Sequence, residues 1–378
     1  LGIIVEFANS NIFENVLISK KQIFRKSITV TTLSLIKIIF LIILINFFTS
    51  TIWLLACIYL IANLLIFVIN LYLLKNITFK KPNFEYLKKF LKLSYPLFIG
   101  TSVIIIAENM YVLILNTWSP IEDIANFYTA KQLFDTFLFL LGNISLILTL
   151  SFSINISLGN NKQNLEIINR IARFLNLFIT PIVFLIFLYS NQIIVIIFGE
   201  SYKLTSIILS ILCLNLIIFS IDLSCRVQLI ALGKFGLLTK IVVFESVLSI
   251  SLIILFIAPF FLNMGVIGGA IALVMSKIIT HIFFRLIIYK KFNLGYYWGL
   301  FRNIGIMFGI YMLQLYINLL FSYQIFIMPI FIILNLFLYF LVNYIFKGFS
   351  KEDMELIRTI FNLKNIKKSI ISELKTKT

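Results

Sequence analysis

An all-α integral membrane fold, a polytopic bundle of about ten spanning helices, is predicted by composition, recurrent long apolar runs and one-sided basic residues. Hydrophobic residues fill 61% of the 378 positions and charged residues 12%, roughly half the charged share of soluble domains. Mean hydropathy is +1.06. Apolar runs of membrane length follow one another along nearly the whole chain, whereas a soluble core buries one or two. In hydrocarbon every backbone N–H and C=O must be paired internally. Runs this continuously apolar lack the alternation of barrel strands, so helices remain.

The runs place spans at 28–48, 51–74, 94–118, 126–155, 174–198, 204–230, 241–260, 265–289, 303–321 and 325–346. The stretch 126–155 exceeds the roughly 20 residues that cross a bilayer, so it must tilt or protrude. Of the 32 Lys and Arg residues, 26 fall in loops on one side, Lys203 alone falls on the other, and five lie within spans. By the positive-inside rule the basic side, with the C-terminus, is cytoplasmic in the plasma membrane. On the far side, 191–203 is partly apolar and is expected to re-enter or cap the bundle. Residues 1–19 lack a basic leader and a cleavage site, so they read as the end of a helix, not a signal peptide.

The net charge of +17 does not imply nucleic acid, because its residues sit in interhelical loops where they set topology. Cys57, Cys213 and Cys225 lack CxxC spacing and lie in or beside apolar runs, where cysteine packs as a small hydrophobe. One histidine speaks against a His-based metal site. The sequence suggests no catalytic constellation, metal or cofactor; the function lies within the helices.

Charges inside a membrane cost a few kcal/mol each and default to functional candidates. Lys277, His281 and Arg285, spaced i, i+4, i+8, share one helix face. They read either as an inward strip that attracts phosphate, or as a snorkelling Arg285 and a hydrogen-bonded core His281. Glu108 has no cation nearby in sequence and is a candidate for carrying a proton or ion. Lys131 and Asp135, and likewise Asp222 and Arg226, are i, i+4 neighbours that can neutralise each other. Lys37 is mid-span, and Glu245 is within reach of Lys240. Gly265, Gly268, Gly269, Ala270 and Ala272 permit close helix approach. Pro181 falls within a span and Pro96 in a first turn.

Two stretches, Val16–Leu44 and Val227–Leu255, share a layout of helix end, basic turn and span ending in IIL. An even number of helices separates them, as in carriers built from two parallel lobes. Several short stretches then occur in an order that resembles Wzx-type polysaccharide (lipid-linked oligosaccharide) flippases of the multidrug/oligosaccharidyl-lipid/polysaccharide exporter superfamily. They are Leu93-Ser94-Tyr95-Pro96-Leu97, Asn126-Phe127-Tyr128-Thr129-Ala130, Phe198-Gly199-Glu200-Ser201-Tyr202, Leu232-Gly233-Lys234, Gly265 through Ala272, and Phe349-Ser350-Lys351-Glu352-Asp353-Met354-Glu355.

The resemblance implies a MATE-like two-lobe exporter fold with the first lobe incomplete. Residues 1–92 would be its remnant, 93–291 a second six-helix lobe, 292–346 two additional spanning helices, and 347–378 a basic cytoplasmic tail. It implies transport, not enzymatic activity: flipping of a polyprenyl-pyrophosphate-linked oligosaccharide by alternating access, for surface polysaccharide biosynthesis. Lys277, Arg285, His281, Arg226, Lys131 and Lys37 are then candidates for holding pyrophosphate and sugar. Glu108 and Asp135 are candidates for ion or proton coupling. Expected partners are the lipid-linked oligosaccharide, membrane lipids, and a polysaccharide polymerase or glycosyltransferases of the same pathway. The alternatives are a cation-coupled multidrug or other lipid exporter, or a truncated fragment without transport.

Overall fold

The protein is described by a computed structural model over residues 16, 28, 31–32, 34–40, 42, 52–73, 84–159, 161–293, 298–320, 328–346 and 348. Among these residues the ordered elements are helical: α1 (Ile52–Leu73), α2 (Phe84–Trp118), α3 (Ile121–Ser157), α4 (Asn161–Phe198), a 3-10 turn (Glu200–Tyr202), α5 (Lys203–Ala231), α6 (Phe235–Ile257), α7 (Gly265–Phe292), α8 (Gly299–Leu320) and α9 (Met328–Ile345). α2 through α8 are each long and apolar enough to cross a membrane, α8 over Gly299–Ile317. α1 and α9 carry shorter apolar stretches, Tyr59–Tyr72 and Pro329–Ile345. The chain is a multi-pass membrane protein. About half of the expected first span, 28–48, most of the first copy of the repeat and all of the Phe349–Glu355 stretch lie outside the described residues.

Helix ends follow local chemistry. Leu232-Gly233-Lys234 closes α5: Gly233 takes φ +67, its N–H bonds the Ile230 carbonyl at 2.9 Å, and the Lys234 N–H bonds that of Leu229 at 2.9 Å. This paired closure needs a residue free to enter the left-handed region. α3 begins after Pro120 with Glu122 and Asp123 in its first turn, where acidic side chains favour the positive helix end.

Two sequence expectations are corrected. The 191–203 stretch does not re-enter: α4 runs unbroken to Phe198, Gly199 turns at φ +88, and α5 starts at Lys203. Pro96 lies well inside α2, because the helix starts at Phe84, ahead of the apolar run, and carries Lys88, Lys89 and Lys92 on its exposed first turns. The Pro96 carbonyl accepts the Thr239 hydroxyl at 2.6 Å, a tie between α2 and α6.

Two compact units divide the chain; one spans Asn83–Asp353 and holds α2 through α9, while α1 belongs to the other. Within the larger unit α5 is central, packed by α3, α4 and α7, and α6 packs against both α2 and α7. Lipid tails are as apolar as leucine, so helix association relies on close packing and interhelical hydrogen bonds, not on removing apolar surface from water. Both are present. Thr205 at the start of α5 donates its hydroxyl to Asn126 Oδ1 on α3 at 2.8 Å; Ser210 bonds Ser190 on α4 at 3.0 Å. Asn303 donates to Asn176 at 2.8 Å and Asn335 to the Tyr189 hydroxyl at 3.2 Å, which fastens α8 and α9 to α4. Phe98, Ile105 and Phe139 lie more than half exposed, as lipid-facing side chains should.

The small residues of α7 act as expected. A Cβ added at Gly268 would meet the Phe256 carbonyl of α6 at 3.0 Å and Met264 Cβ at 2.7 Å; one at Gly269 would meet Ile257 at 3.2 Å. Gly268→Ala is therefore expected to destabilise the α6–α7 hairpin by about 1–3 kcal/mol, read as a lower melting temperature of the detergent-solubilised protein. An unchanged melting temperature would show that the hairpin yields without cost.

Candidate functional site

A cavity of about 340 Å³ opens within the larger unit, walled by α2, α3, α5, α6 and α7. Charged side chains reach it from all five: Glu108 from α2, Lys131 and Asp135 from α3, Arg226 from α5, Glu245 from α6 and Lys277 from α7. Lys131 and Glu245 each lie ten residues from the start of their helix, within helices long and apolar enough to cross a membrane.

Two networks tie these six charges together. Lys131 Nζ lies 2.9 Å from Asp135 Oδ2 and 3.5 Å from Glu108 Oε1. The i, i+4 pair thus forms as the spacing predicts, and Glu108, isolated in sequence, receives its cation from the neighbouring helix. In the second network Glu245 bridges two helices: Oε1 takes the Lys277 ammonium at 2.5 Å and Oε2 takes the Arg226 guanidinium at 3.4 Å. The Arg226 guanidinium also stands over the Phe284 ring, 5.3 Å from its centroid. Tyr111 and Ser249, opposite each other on α2 and α6, are hydrogen-bonded through their hydroxyls. Among the described residues Asn215 Oδ1, on the α5 wall, has no hydrogen-bond partner.

A third cluster lies outside the cavity. Asp222, 1% exposed, is hydrogen-bonded to His281 Nδ1 at 2.9 Å and ion-paired with Arg285, whose Nε stands 3.2 Å away. Arg285 also donates to the Ile221 carbonyl at 2.8 Å. Asp222 does not pair with Arg226 as the i, i+4 spacing suggested. On α5 the two share a stripe, but α7 presents His281 and Arg285 to Asp222 while α6 presents Glu245 to Arg226, and both carboxylates are better enclosed across helices. Glu245 likewise meets Lys277 and Arg226, not Lys240.

Of the residues singled out from sequence, the fold gathers Lys131, Asp135, Glu108, Arg226 and Lys277 into one cavity, and places His281 and Arg285 beside it in the Asp222 cluster. Arg285 does not snorkel, and the helix face it shares with Lys277 is an array of ion pairs, not of unpaired cations. Lys37 belongs to the other unit, where its ammonium stands 3.8 Å from the centroid of the Tyr59 ring. Glu245 and Asn215 were not among the sequence candidates for the site. A carboxylate one turn inside a basic helix end is the sole signal Glu245 leaves in sequence, and it points to a nearby lysine. Asp222→Asn is expected to destabilise the fold by about 3–5 kcal/mol, because it leaves the enclosed Arg285 without its counter-ion. Thermal unfolding in detergent checks this, and a shift no larger than that of an exposed Asp123→Asn control would refute it.

The cavity is thus a charged space enclosed by five helices of the larger unit, and the fold that encloses it has solved counterparts. Solved structures with the same fold include "Lipid II flippase MurJ, inward closed conformation", at 20% identity and TM-score 0.65, covering 84% of this chain and 66% of that one. A multidrug resistance MATE family transporter of the MOP superfamily in an outward-facing conformation superposes with TM-score 0.60 at 16% identity, covering 75% of this chain and 67% of that one. MATE in the straight conformation gives TM-score 0.60 at 16% identity, covering 74% and 66%. The chain thus spans just under two thirds of the length of the MurJ chain. No curated protein matches the sequence. The polysaccharide biosynthesis protein family matches residues 1–207, more than half of the chain, and the protein belongs to that family.

Proposed function

We propose that this chain forms the substrate-handling part of a flippase that carries a polyprenyl-pyrophosphate-linked oligosaccharide from the cytoplasmic to the outer leaflet of the plasma membrane by alternating access. The observation that carries the reading is the convergence of six charged side chains on one cavity between membrane-spanning helices, in a member of a polysaccharide biosynthesis family. Membrane charges are expensive unless they serve a polar cargo or a partner. Here they come from five different helices, which is how a carrier surrounds a ligand.

In this reading Lys277 and Arg226 hold the pyrophosphate, the guanidinium by its donor fork and the ammonium as a point charge. Lys131 and Asn215 face the sugar, with the Asn215 carbonyl accepting from a hydroxyl. His281 and Arg285 act through Asp222 to keep the α5 and α7 walls aligned. Glu108 and Asp135, which already share Lys131, are the groups for ion or proton coupling. The basic loops and the C-terminus face the cytoplasm, where polymerase and glycosyltransferases of the pathway work.

The second reading, a cation-coupled multidrug exporter, is favoured by one observation: the cavity holds as many carboxylates as cations, Glu108, Asp135 and Glu245 against Lys131, Arg226 and Lys277. A cationic drug would use the former. In cells deleted for the gene, the wild-type gene is expected to restore surface polysaccharide, and the Lys131→Ala, Lys277→Ala double variant to fail at equal membrane abundance. Restoration by the double variant would overturn the flippase reading. Wild-type expression that leaves polysaccharide unchanged but raises resistance to cationic drugs would establish the second.

A further inference from the structure

We infer that Glu245 is the resting occupant of an oxyanion seat: a carboxylate on α6 that bridges Arg226 of α5 and Lys277 of α7, and that a phosphate-bearing substrate must displace. This rests on the flippase reading and adds to it a residue that sets substrate affinity. Three observations carry it.

Glu245 holds the seat as an oxyanion would, with one oxygen on each of two cations from two different helices. It also fills the seat poorly. A guanidinium offers five N–H donors, yet the bond to Glu245 is long, at 3.4 Å. The buried Arg226 Nε has no acceptor among the described residues. A phosphate, with more charge and a third oxygen, can reach donors that a carboxylate already bonded to Lys277 leaves idle. Finally, the other carboxylates of the region are placed differently. Asp135 sits on the same helix as its lysine, so it travels with that cation. Asp222 is sealed away from the cavity at 1% exposure. Glu108 also lines the cavity and pairs across helices, but with the single cation Lys131 at 3.5 Å; of the cavity's carboxylates, Glu245 is the one that bridges cations from two other helices.

Such a placeholder has a physical purpose. Arg226 and Lys277 beside each other in a membrane would repel and resist desolvation if the seat stood open. Glu245 neutralises them while the carrier is unloaded, and its competition keeps the substrate from binding too tightly to leave. Its release also removes the ion pairs that join α6 to α5 and α7, so loading the seat loosens one cavity wall.

The test uses the purified full-length protein in nanodiscs of zwitterionic phosphatidylcholine, with inorganic pyrophosphate and a polyprenyl pyrophosphate as separate probes. Glu245→Gln is expected to bind at least one probe ten times tighter than wild type or better, and Lys277→Gln ten times weaker. Tightening for both probes means that the seat reads the phosphates; tightening for the lipid alone means that the tail must also be held. Either outcome supports the exchange. Should Glu245→Gln fail to fold, Glu245→Asp, which withdraws the carboxylate by one methylene, is expected to tighten binding by a smaller factor. Affinity for both probes that is unchanged or weaker in the Glu245 variant, while Lys277→Gln still weakens it, overturns the exchange and leaves the flippase reading standing. Equal affinity of wild type and Lys277→Gln removes the seat itself, and with it that reading's account of pyrophosphate binding.

Discussion

Hydrocarbon does not solvate charge, and that constraint organises the larger unit. Nine ionisable side chains on five helices, three of them in the Asp222 cluster and six around the cavity, are arranged so that each is bonded across or along a helix. Satisfying them decides which faces of α2, α3, α5, α6 and α7 turn inward. With those faces fixed, the apolar remainder of each helix faces either its neighbours or lipid. The polar ties between Asn126 and Thr205, and between Thr239 and the Pro96 carbonyl, extend the same logic to uncharged groups, since an amide or hydroxyl in hydrocarbon also needs a partner.

The three charged clusters differ in how they tie the helices together. Asp222 with His281 and Arg285 is enclosed and multiply bonded, a fixed joint between α5 and α7. Lys131 with Asp135 is carried on one helix and needs no neighbour to stay neutral, although Glu108 leans on it from α2. The Glu245 bridge spans three helices with one bond at 2.5 Å and one at 3.4 Å. The proposed carrier would need such a gradation: joints that persist while the cavity changes shape, and one contact that the cargo can replace. Close packing at Gly268 and Gly269 serves the first need, since it locks α6 to α7 at their far turn while the charged bridge lies further along both helices.

Charge balance in the cavity bears on the substrate. The cations singled out within the spans suggest an anion, yet three cations and three carboxylates line the cavity itself. In the proposed reading an anionic cargo meets paired cations and is bound by exchange of partners, not by simple attraction. Exchange favours a ligand with more charge and more acceptor oxygens than a carboxylate, and phosphate chemistry meets that description.

Composition and pattern alone determined the solvent, the helical class and the position of most spans, because a continuous apolar run has one stable form in lipid and loop lysines have one preferred side. The i, i+4 pair of Lys131 and Asp135, and the glycines that let α7 approach α6, were legible for the same reason: both are properties of a single helix. Tertiary structure decided the rest. Asp222 and Arg226 share a helix stripe but find their partners on α7 and α6. Pro96 sits mid-helix because α2 extends beyond the membrane-length run. Glu245, unremarkable in sequence, becomes the centre of the site because three helices cross where its carboxylate reaches. Spacing along one helix reports which residues share a face, whereas the strength of a charge pair depends on which helices meet and how far the pair is withdrawn from water, and only packing sets those.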